Sequence, residues 1–382
     1  MPEQPTVALV QPCVPHYRLP LYSKLATSSR YNWEFLYGLH RGAGGSGLET
    51  KSHIVLPTHP IRSFRIGKAV WQTGVSRRLL KQRFKAVVFD LGWETISNAK
   101  LLLTARLCGM AAIPWSKGIP ENGRPRPAWR KAIERAFIQQ CECLIVYGQT
   151  SADYYRNLGY PSEQIFVAQN TVDVNEIVKD IRRAKTEAAQ LRARLGIDGN
   201  LVFGYFGRLV PEKRVEMIIE AFSFAKGRGL KGYLIIAGDG PERKELESIA
   251  RKSSASQFII FCGRISQEEQ NVYFQLFDVF VSAYSAGLGV LEAMAHGKIV
   301  LITPETRPET ELIVDGVTGL VTKDFSAESL ADGLFLATNT IQKNKNMGKR
   351  ANEAVLSKAT IENMSEVFDK AIDYALARKE SL

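Results

Sequence analysis

At 382 residues the chain is long for one hydrophobic core and comfortable for two. Its 45% hydrophobic and 23% charged residues are ordinary for a globular protein and exclude a disordered or fibrous chain. A formal net charge of +11 points to a polyanionic neighbour, whether nucleic acid, acidic lipid or a phosphorylated substrate.

The opening MPEQPTVALVQPCVPHYR has neither a basic leader nor a long apolar stretch, so it does not read as a secretion signal. Strand candidates in the first half are Val7–Val10, Trp33–Tyr37, Ala86–Phe89, Ala111–Ile113, Cys143–Val146 and Ile165–Val167. Helix-like stretches lie between them at Leu79–Phe84, Asn98–Leu107, Ala128–Gln139 and Ser151–Leu158. The most apolar segment, Leu101 to Trp115, is broken by Arg106 and is too short to span a bilayer. A cytoplasmic protein is the expectation. The five cysteines, Cys13, Cys108, Cys141, Cys143 and Cys262, are odd in number and scattered, which argues against a disulfide framework. Cys141 and Cys143 lack a second pair or a nearby His to complete a zinc site, and read as small buried residues.

Asn175–Leu195 is polar and rich in Ala, Arg and Glu, and reads as an exposed connecting helix. Beyond it the alternation restarts with strands at Leu201–Phe206, Tyr233–Ala237, Phe258–Phe261, Val279–Ser282 and Ile299–Ile302. The intervening helices fall at Val215–Ala225, Arg243–Ala250, Gln267–Phe274 and Leu288–Ala295. Short continuous apolar runs between amphipathic helices are the rhythm of βα units with a parallel sheet. The fold class is therefore α/β, with two Rossmann-like doubly wound domains at 1–180 and 195–359. Ligands of such sheets bind beyond the carboxyl ends of the strands, and the cleft between two such modules is the default site.

Two strand-end loops carry chemistry. After the first strand of the second module comes Gly207-Arg208-Leu209-Val210-Pro211-Glu212-Lys213-Arg214. Gly207 permits a sharp exit, and a guanidinium and an ammonium near a helix start suit a diphosphate. A solvated helix entrance is the alternative. After Ser282 comes Ala283-Tyr284-Ser285-Ala286-Gly287-Leu288-Gly289, then Glu292 one turn into a helix. The glycines leave amides unshielded, and Glu292 suits a pair of ribose hydroxyls or, alternatively, a helix surface. Gly238-Asp239-Gly240-Pro241 reads as a structural turn.

GRLVPEK, GDGP, GLGVLEAMAHG and PETELIVDGVTGLV together resemble the donor-binding half of glycosyltransferase family 4, retaining enzymes of GT-B architecture. NTVD, from Asn170 to Asp173, is similar to that family's strand end before the interdomain linker, and PHYRLPLY, from Pro15 to Tyr22, to the start of its acceptor domain. Thr360–Ala377 is similar to the helix that returns to the N-terminal domain, so the acceptor domain is completed by 360–382. The resemblance implies a hexosyltransferase that needs no metal or other cofactor. Its implied partners are a nucleotide-diphosphate sugar donor and a glycan or lipid-linked acceptor, as in polysaccharide synthesis. Arg208 and Lys213 would be the catalytic cations on the diphosphate, with Glu292 on the ribose. Gly207, Tyr284 and the amides of Gly287, Leu288 and Gly289 would face phosphate and sugar, and Gly263, Arg264 and Ile265 would edge the base. Tyr284 stands where the family carries the first of two glutamates, and Lys117 where relatives carry a His in a Trp-Gly-His-Gly turn. A nucleotide-sugar epimerase and a non-catalytic sugar-nucleotide-binding protein are the alternative readings.

His16, Tyr17, Arg18, Trp93, Glu94 and Lys117 are the acceptor-side candidates. No Asp-x-Asp metal clamp occurs in the sequence, which leaves the leaving-group charge to Arg208 and Lys213. Gly42 to Gly47 fits G-x-G-x-x-G, but LETKSHIVLP after it reads as extended and not as the helix a dinucleotide site requires. His296 reads as a residue of a helix C-terminus. From Thr50 to Phe89 there is no acidic residue, while Lys51, Arg62, Arg65, Lys68, Arg77, Arg78, Lys81, Arg83 and Lys85 fall there. With Trp71, Trp115 and Trp129 interleaved among cations, this face suits docking to an anionic membrane at its inner surface, or else is simply solvated. No nucleic-acid-binding module is visible.

Overall fold

The computed structural model describes residues 4–38, 56–67, 69–92, 96–118, 126–305, 307–343 and 346–381. The glycine run from Gly42 to Gly47, Lys51, Lys68, Trp93 and Glu94 lie outside the described residues. The chain forms two compact units, Met1–Asn170 with Ile361–Leu382, and Thr171–Thr360. Among the described residues, no helix is long and apolar enough to cross a membrane.

The first unit runs β1 (Thr6–Gln11), α1 (Leu19–Ala26), β2 (Asn32–Gly38), β3 (Thr58–Ile66), β4 (Ala69–Thr73), α2 (Val75–Lys81), β5 (Ala86–Asp90) and α3 (Asn98–Leu107). It continues with β6 (Ala111–Ser116), α4 (Ala128–Ile138), β7 (Leu144–Val146), α5 (Gln149–Asn157) and β8 (Ile165–Val167). Its eight strands lie in the order β4-β3-β2-β1-β5-β6-β7-β8, parallel throughout except for the β3–β4 pair. Val7 to Val10 and Ala86 to Phe89 are buried on both faces, so these strands read as continuous apolar runs. The antiparallel β3–β4 hairpin has no counterpart in the sequence reading. Pro60, Arg62 and Arg65, all in β3 next to the edge strand β4, mask the alternation expected of a strand. The helix expected at Leu79–Phe84 lies earlier, at α2, where Val75 and Leu79 are one turn apart and buried.

The second unit runs α6 (Val174–Arg194), β9 (Val202–Phe206), α7 (Val215–Gly227), β10 (Tyr233–Ala237), α8 (Arg243–Lys252), β11 (Ile259–Gly263) and α9 (Gln267–Leu276). Then follow β12 (Val279–Ser282), α10 (Leu288–Ala295), β13 (Ile299–Ile302), β14 (Leu320–Val321), α11 (Ala327–Lys343) and α12 (Met347–Lys358). Its six strands are all parallel, ordered β11-β10-β9-β12-β13-β14. Counted within the unit this is 3-2-1-4-5-6, the Rossmann order, whose direction reverses between β9 and β12. In the first unit the same reversal falls between β1 and β5.

Residues 175–195 correct the sequence reading. They are not an exposed connector with a domain boundary near 180: the boundary lies at Asn170/Thr171, and α6 is part of the second unit. Asp173 caps it by accepting from the Glu176 amide at 3.1 Å, and Val174, Ile177, Ala184 and Ala188 are buried in a cluster shared with α9. The polar composition hid a narrow apolar stripe. The last helix, α13 (Ile361–Glu380), belongs to the first unit. Ile361, Met364, Phe368, Ala371, Ile372 and Ala375 form its buried stripe, and the Phe368 ring meets Trp33 and Trp115 at centroid distances of 6.3 and 5.0 Å.

Candidate functional site

The loops that leave β9 and β12 flank the reversal point of the second sheet. On leaving β9, the Gly207 amide donates to Ala237 O at 3.0 Å, and the next loop lies directly against it. A Cβ on Gly238 would stand 1.8 Å from Gly207 O, and one on Gly240 would stand 2.2 Å from Leu209 O. The Leu209 amide donates to Asp239 O at 3.0 Å and its carbonyl accepts from the Glu242 amide at 3.2 Å, with the Leu209 side chain buried beneath. GDGP is thus the brace of GRL: two backbones in contact, which only glycine permits. Arg208 is held by its carbonyl, which accepts from the Tyr205 hydroxyl at 2.9 Å. Its exposed guanidinium has no hydrogen-bond or ion-pair partner among the described residues.

Pro211–Lys213 make one turn of 3-10 helix, and Arg214, at φ 51°, turns the chain into α7. Lys213 does not stay at the start of α7. Its half-buried ammonium donates to the carbonyl of Ser285 and lies 3.3 Å from where a Cβ on Gly287 would be. The cation therefore stands at the N-terminus of α10. Gly287, at φ 64°, is the N-cap of that helix. The amides of Gly287, Leu288 and Gly289 have no hydrogen-bond partner among the described residues, as the first turn of a helix requires. A Cβ on Gly289 would come within 3.3 Å of Phe206 O and 3.2 Å of the Phe280 ring, so α10 starts tight over the end of β9.

The two amides before Gly287 are taken. The Glu305 carboxylate accepts from Ser285 N at 2.7 Å and Ala286 N at 3.1 Å, and Arg307 Nε donates to it at 3.1 Å. The guanidinium of Arg307 also lies under the Tyr284 ring, 5.0 Å from its centroid, and Phe325 meets that ring edge-on at 5.4 Å. Glu305 and Arg307 escaped the sequence reading. The strand-end rule draws attention to the loop after β13, but no local signal ties its carboxylate to the amides after β12. One turn into α10, the Glu292 carboxylate accepts from the Gln270 side-chain amide; burial pushes its pKa up to about 7, against that hydrogen bond. Gly263, at φ 71°, ends β11 and accepts from the Gly238 amide at 2.8 Å. Arg264 beside it is exposed, and Ile265 packs on the apolar cluster under α10. His296 caps α10 but is buried, stacked on Phe274 at 5.4 Å and pushed down to about 3 by burial, so it is a neutral core residue.

In the first unit, His16 and Tyr17 are exposed on a single turn after β1, and Arg18 beside them is buried. The Arg18 guanidinium lies 5.2, 4.9 and 5.0 Å from the ring centroids of Tyr17, Trp115 and Tyr147, and donates to Asn170 Oδ1 at 2.7 Å. Asp90, the last residue of β5, has its carboxyl raised to about 6 by burial, against the Gly92 amide and the Arg18 charge. It was not singled out from the sequence, where the strand-end rule was applied three residues further on, at Trp93. Lys117 follows β6, where its carbonyl accepts from the Ser151 hydroxyl at 2.6 Å. Trp115 is corrected: it is 1% exposed and stacks on Tyr147 at 5.1 Å, so it belongs to the core and not to an interfacial belt. Trp129 is 58% exposed. Cys141 and Cys143 are buried, as their reading as small apolar residues requires.

Residues 187–354, which hold all of these second-unit loops, match the family model described as glycosyl transferases group 1. The chain is 34% identical over 156 residues to alpha-D-kanosaminyltransferase of Streptomyces kanamyceticus, covering 40% of each chain. It is 27% identical over 180 residues to alpha-monoglucosyldiacylglycerol synthase of Streptococcus pneumoniae, covering 46% of this chain and 40% of that one. The matches thus span about two fifths of the length of these curated relatives. The fold is shared with Anabaena Alr3699/HepE, solved in complex with UDP, at a TM-score of 0.76 and 18% identity over 97% of this chain and 100% of that one. Residues 187–354 of the second unit are thus similar to glycosyl transferases group 1, and the chain's two Rossmann-like α/β units share the fold of that solved structure.

Proposed function

We propose that the chain is a metal-independent, retaining glycosyltransferase of the family 4 kind. It would move a sugar from a nucleotide-diphosphate donor to a glycan or lipid-linked acceptor. The observation that carries this reading is the Lys213 ammonium set at the N-terminus of α10 beside three amides with no hydrogen-bond partner among the described residues. A cation against the positive end of a helix is electrostatically unfavourable in the empty protein and becomes favourable once a diphosphate lies between them. In the reaction the bond between the anomeric carbon and the β-phosphate oxygen breaks, and a bond to the acceptor oxygen forms. The acceptor proton leaves with the departing diphosphate. Negative charge grows on the leaving oxygen, and fixed amides, Lys213 and Arg208 stabilise it without reorganising. Glu292 would hold the ribose, Gly207 and Tyr284 would lie along the phosphate and sugar, and Gly263, Arg264 and Ile265 would edge the base. On the acceptor side, Asp90, His16, Tyr17 and Lys117 stand at strand ends of the first sheet, and Trp93 and Glu94, outside the described residues, remain candidates from the sequence. UDP in a protein of the same fold, and a lipid-linked product named for one relative, support this donor and acceptor class. The test is a thermal-shift panel of UDP-, GDP-, ADP- and dTDP-sugars, followed by transfer assays. One donor should stabilise the protein by a few kcal/mol at saturation. Arg208→Ala should weaken that donor about 10-fold, which is about 1.4 kcal/mol. No stabilisation by any donor would overturn the reading.

The same reading places the acceptor face at an anionic membrane surface. Leu103 and Leu107 on α3, and Trp129 and Ile133 on α4, are exposed by 53–78%. The two helices border one groove, across which Arg106 Nη1 donates to Gln140 Oε1 at 2.7 Å. Lys100, Arg106, Arg130, Lys131 and Arg135 accompany the apolar residues. The one carboxylate on either helix, Glu134, is buried and bonded to Arg126 and Tyr155. Apolar side chains ringed by cations alone suit anionic lipid. Vesicles containing phosphatidylglycerol should float the protein in low salt, and Trp129→Ala with Arg130→Ala should abolish this. Equal recovery with neutral phosphatidylcholine would remove the docking surface.

A further inference from the structure

Ser285 and Arg214 are the non-glycine residues with positive φ among the described residues, at 49° and 51°. They stand next to or at the two ends of one contact, the ammonium of Lys213 on the carbonyl of Ser285. A β-substituted residue does not stay in that conformation unless its surroundings impose it. The group that faces Ser285 is the Glu305 carboxylate, 2% exposed, which takes the Ser285 and Ala286 amides with one oxygen each. Arg307, 4% exposed, neutralises it through Nε. A buried ion pair adds little to stability that an apolar pair of similar volume would not. Fixing the direction of two successive amides is something an apolar pair does not do.

We propose that Glu305 is a positioning residue for the diphosphate. By drawing the Ser285 and Ala286 amides to itself, it turns the Ser285 carbonyl toward Lys213 and leaves the next three amides, from Gly287 to Gly289, directed at the phosphates. Arg307 keeps this buried carboxylate from repelling them. The inference rests on the nucleotide-sugar reading above; Glu305 itself touches no substrate.

The test uses the full chain and calorimetric titration with UDP, GDP, ADP and dTDP, with melting and circular dichroism as controls for folding. In folded Glu305→Gln one amide of the loop faces an NH2 group, and the affinity of the diphosphate that binds the wild type best should fall about 10-fold or more. Adding Ser285→Gly should bring affinity back to within about 3-fold of wild type, because glycine adopts the left-handed conformation without being held there. A role confined to stability would leave affinity unchanged in Glu305→Gln, and glycine would rescue nothing; either result overturns the proposal. If Glu305→Gln does not fold, Glu305→Asp retains the charge but draws both oxygens back by one carbon, and should weaken binding in the same direction. Wild-type affinity in that variant overturns the proposal too. If none of the four diphosphates binds the wild type, the donor reading fails and takes this inference with it. Binding that is equal in wild type and variant removes the inference alone.

Discussion

Both units place basic side chains beyond the end of their first central strand, one in the first unit and two in the second, and their fates are opposite. Arg18, after β1, is buried among three aromatic rings and bonded to Asn170. Lys213 and Arg208, after β9, are half-buried and exposed, and Lys213 borders a helix start whose amides have no partner among the described residues. A basic residue at a strand end is therefore not by itself a ligand site. What separates the two is their surroundings: π-faces and an amide oxygen enclose Arg18, while Lys213 donates to a carbonyl of the β12 loop beside the start of α10.

Three substitutions bear on this contrast. Lys213→Ala should lower kcat about 10²–10³-fold, the usual cost of removing one preorganised group that stabilises a leaving oxyanion. Steady-state and single-turnover rates check it, and a change confined to KM would mean that the ammonium acts in the ground state as much as at the barrier. Arg18→Ala should instead cost about 2–4 kcal/mol of stability, from lost packing and cation–π contact, and leave nucleoside diphosphate affinity at its wild-type value. Denaturant unfolding with calorimetry reads both, and a parallel loss of nucleotide affinity would erase the distinction between the cations. The smallest effect is expected at Glu292. Its carboxyl is raised from 4.5 to about 7 by burial, so between those values the folded chain keeps a proton that the unfolded chain has lost. The stability tied to that proton is full below pH 4.5 and is lost as pH rises through 7. Glu292→Gln should therefore melt higher than wild type by about 2 °C at pH 8, and match it at pH 4.5. Identical melting at both values would show that the carboxyl is ordinary.

Sequence carried the second unit further than the first. Strands Tyr233–Ala237, Val279–Ser282 and Ile299–Ile302, and helix Leu288–Ala295, coincide with β10, β12, β13 and α10. Buried parallel strands are written as unbroken apolar runs, and Gly207, Gly238 and Gly263 mark the ends of β9, β10 and β11. The β3–β4 hairpin was invisible because a solvent-facing edge needs no apolar alternation. Glu305 and Arg307 were invisible for another reason. Nothing local says that a carboxylate after β13 will bond amides after β12, because the two loops meet only when β12 and β13 pair in parallel register. Asp90 was within reach of the same strand-end reasoning that singled out Trp93 and Glu94.

The return of α13 to the first unit also sets an order of events for synthesis. Trp33 and Trp115 emerge early, yet the ring that covers both, Phe368, is translated only after the whole second unit. Until then one side of that sheet stays wet while the second unit, whose core needs nothing from α13, is free to close. A nascent chain should thus bury its second unit first, and a truncation within α13 should leave an aggregation-prone first sheet and an intact second unit.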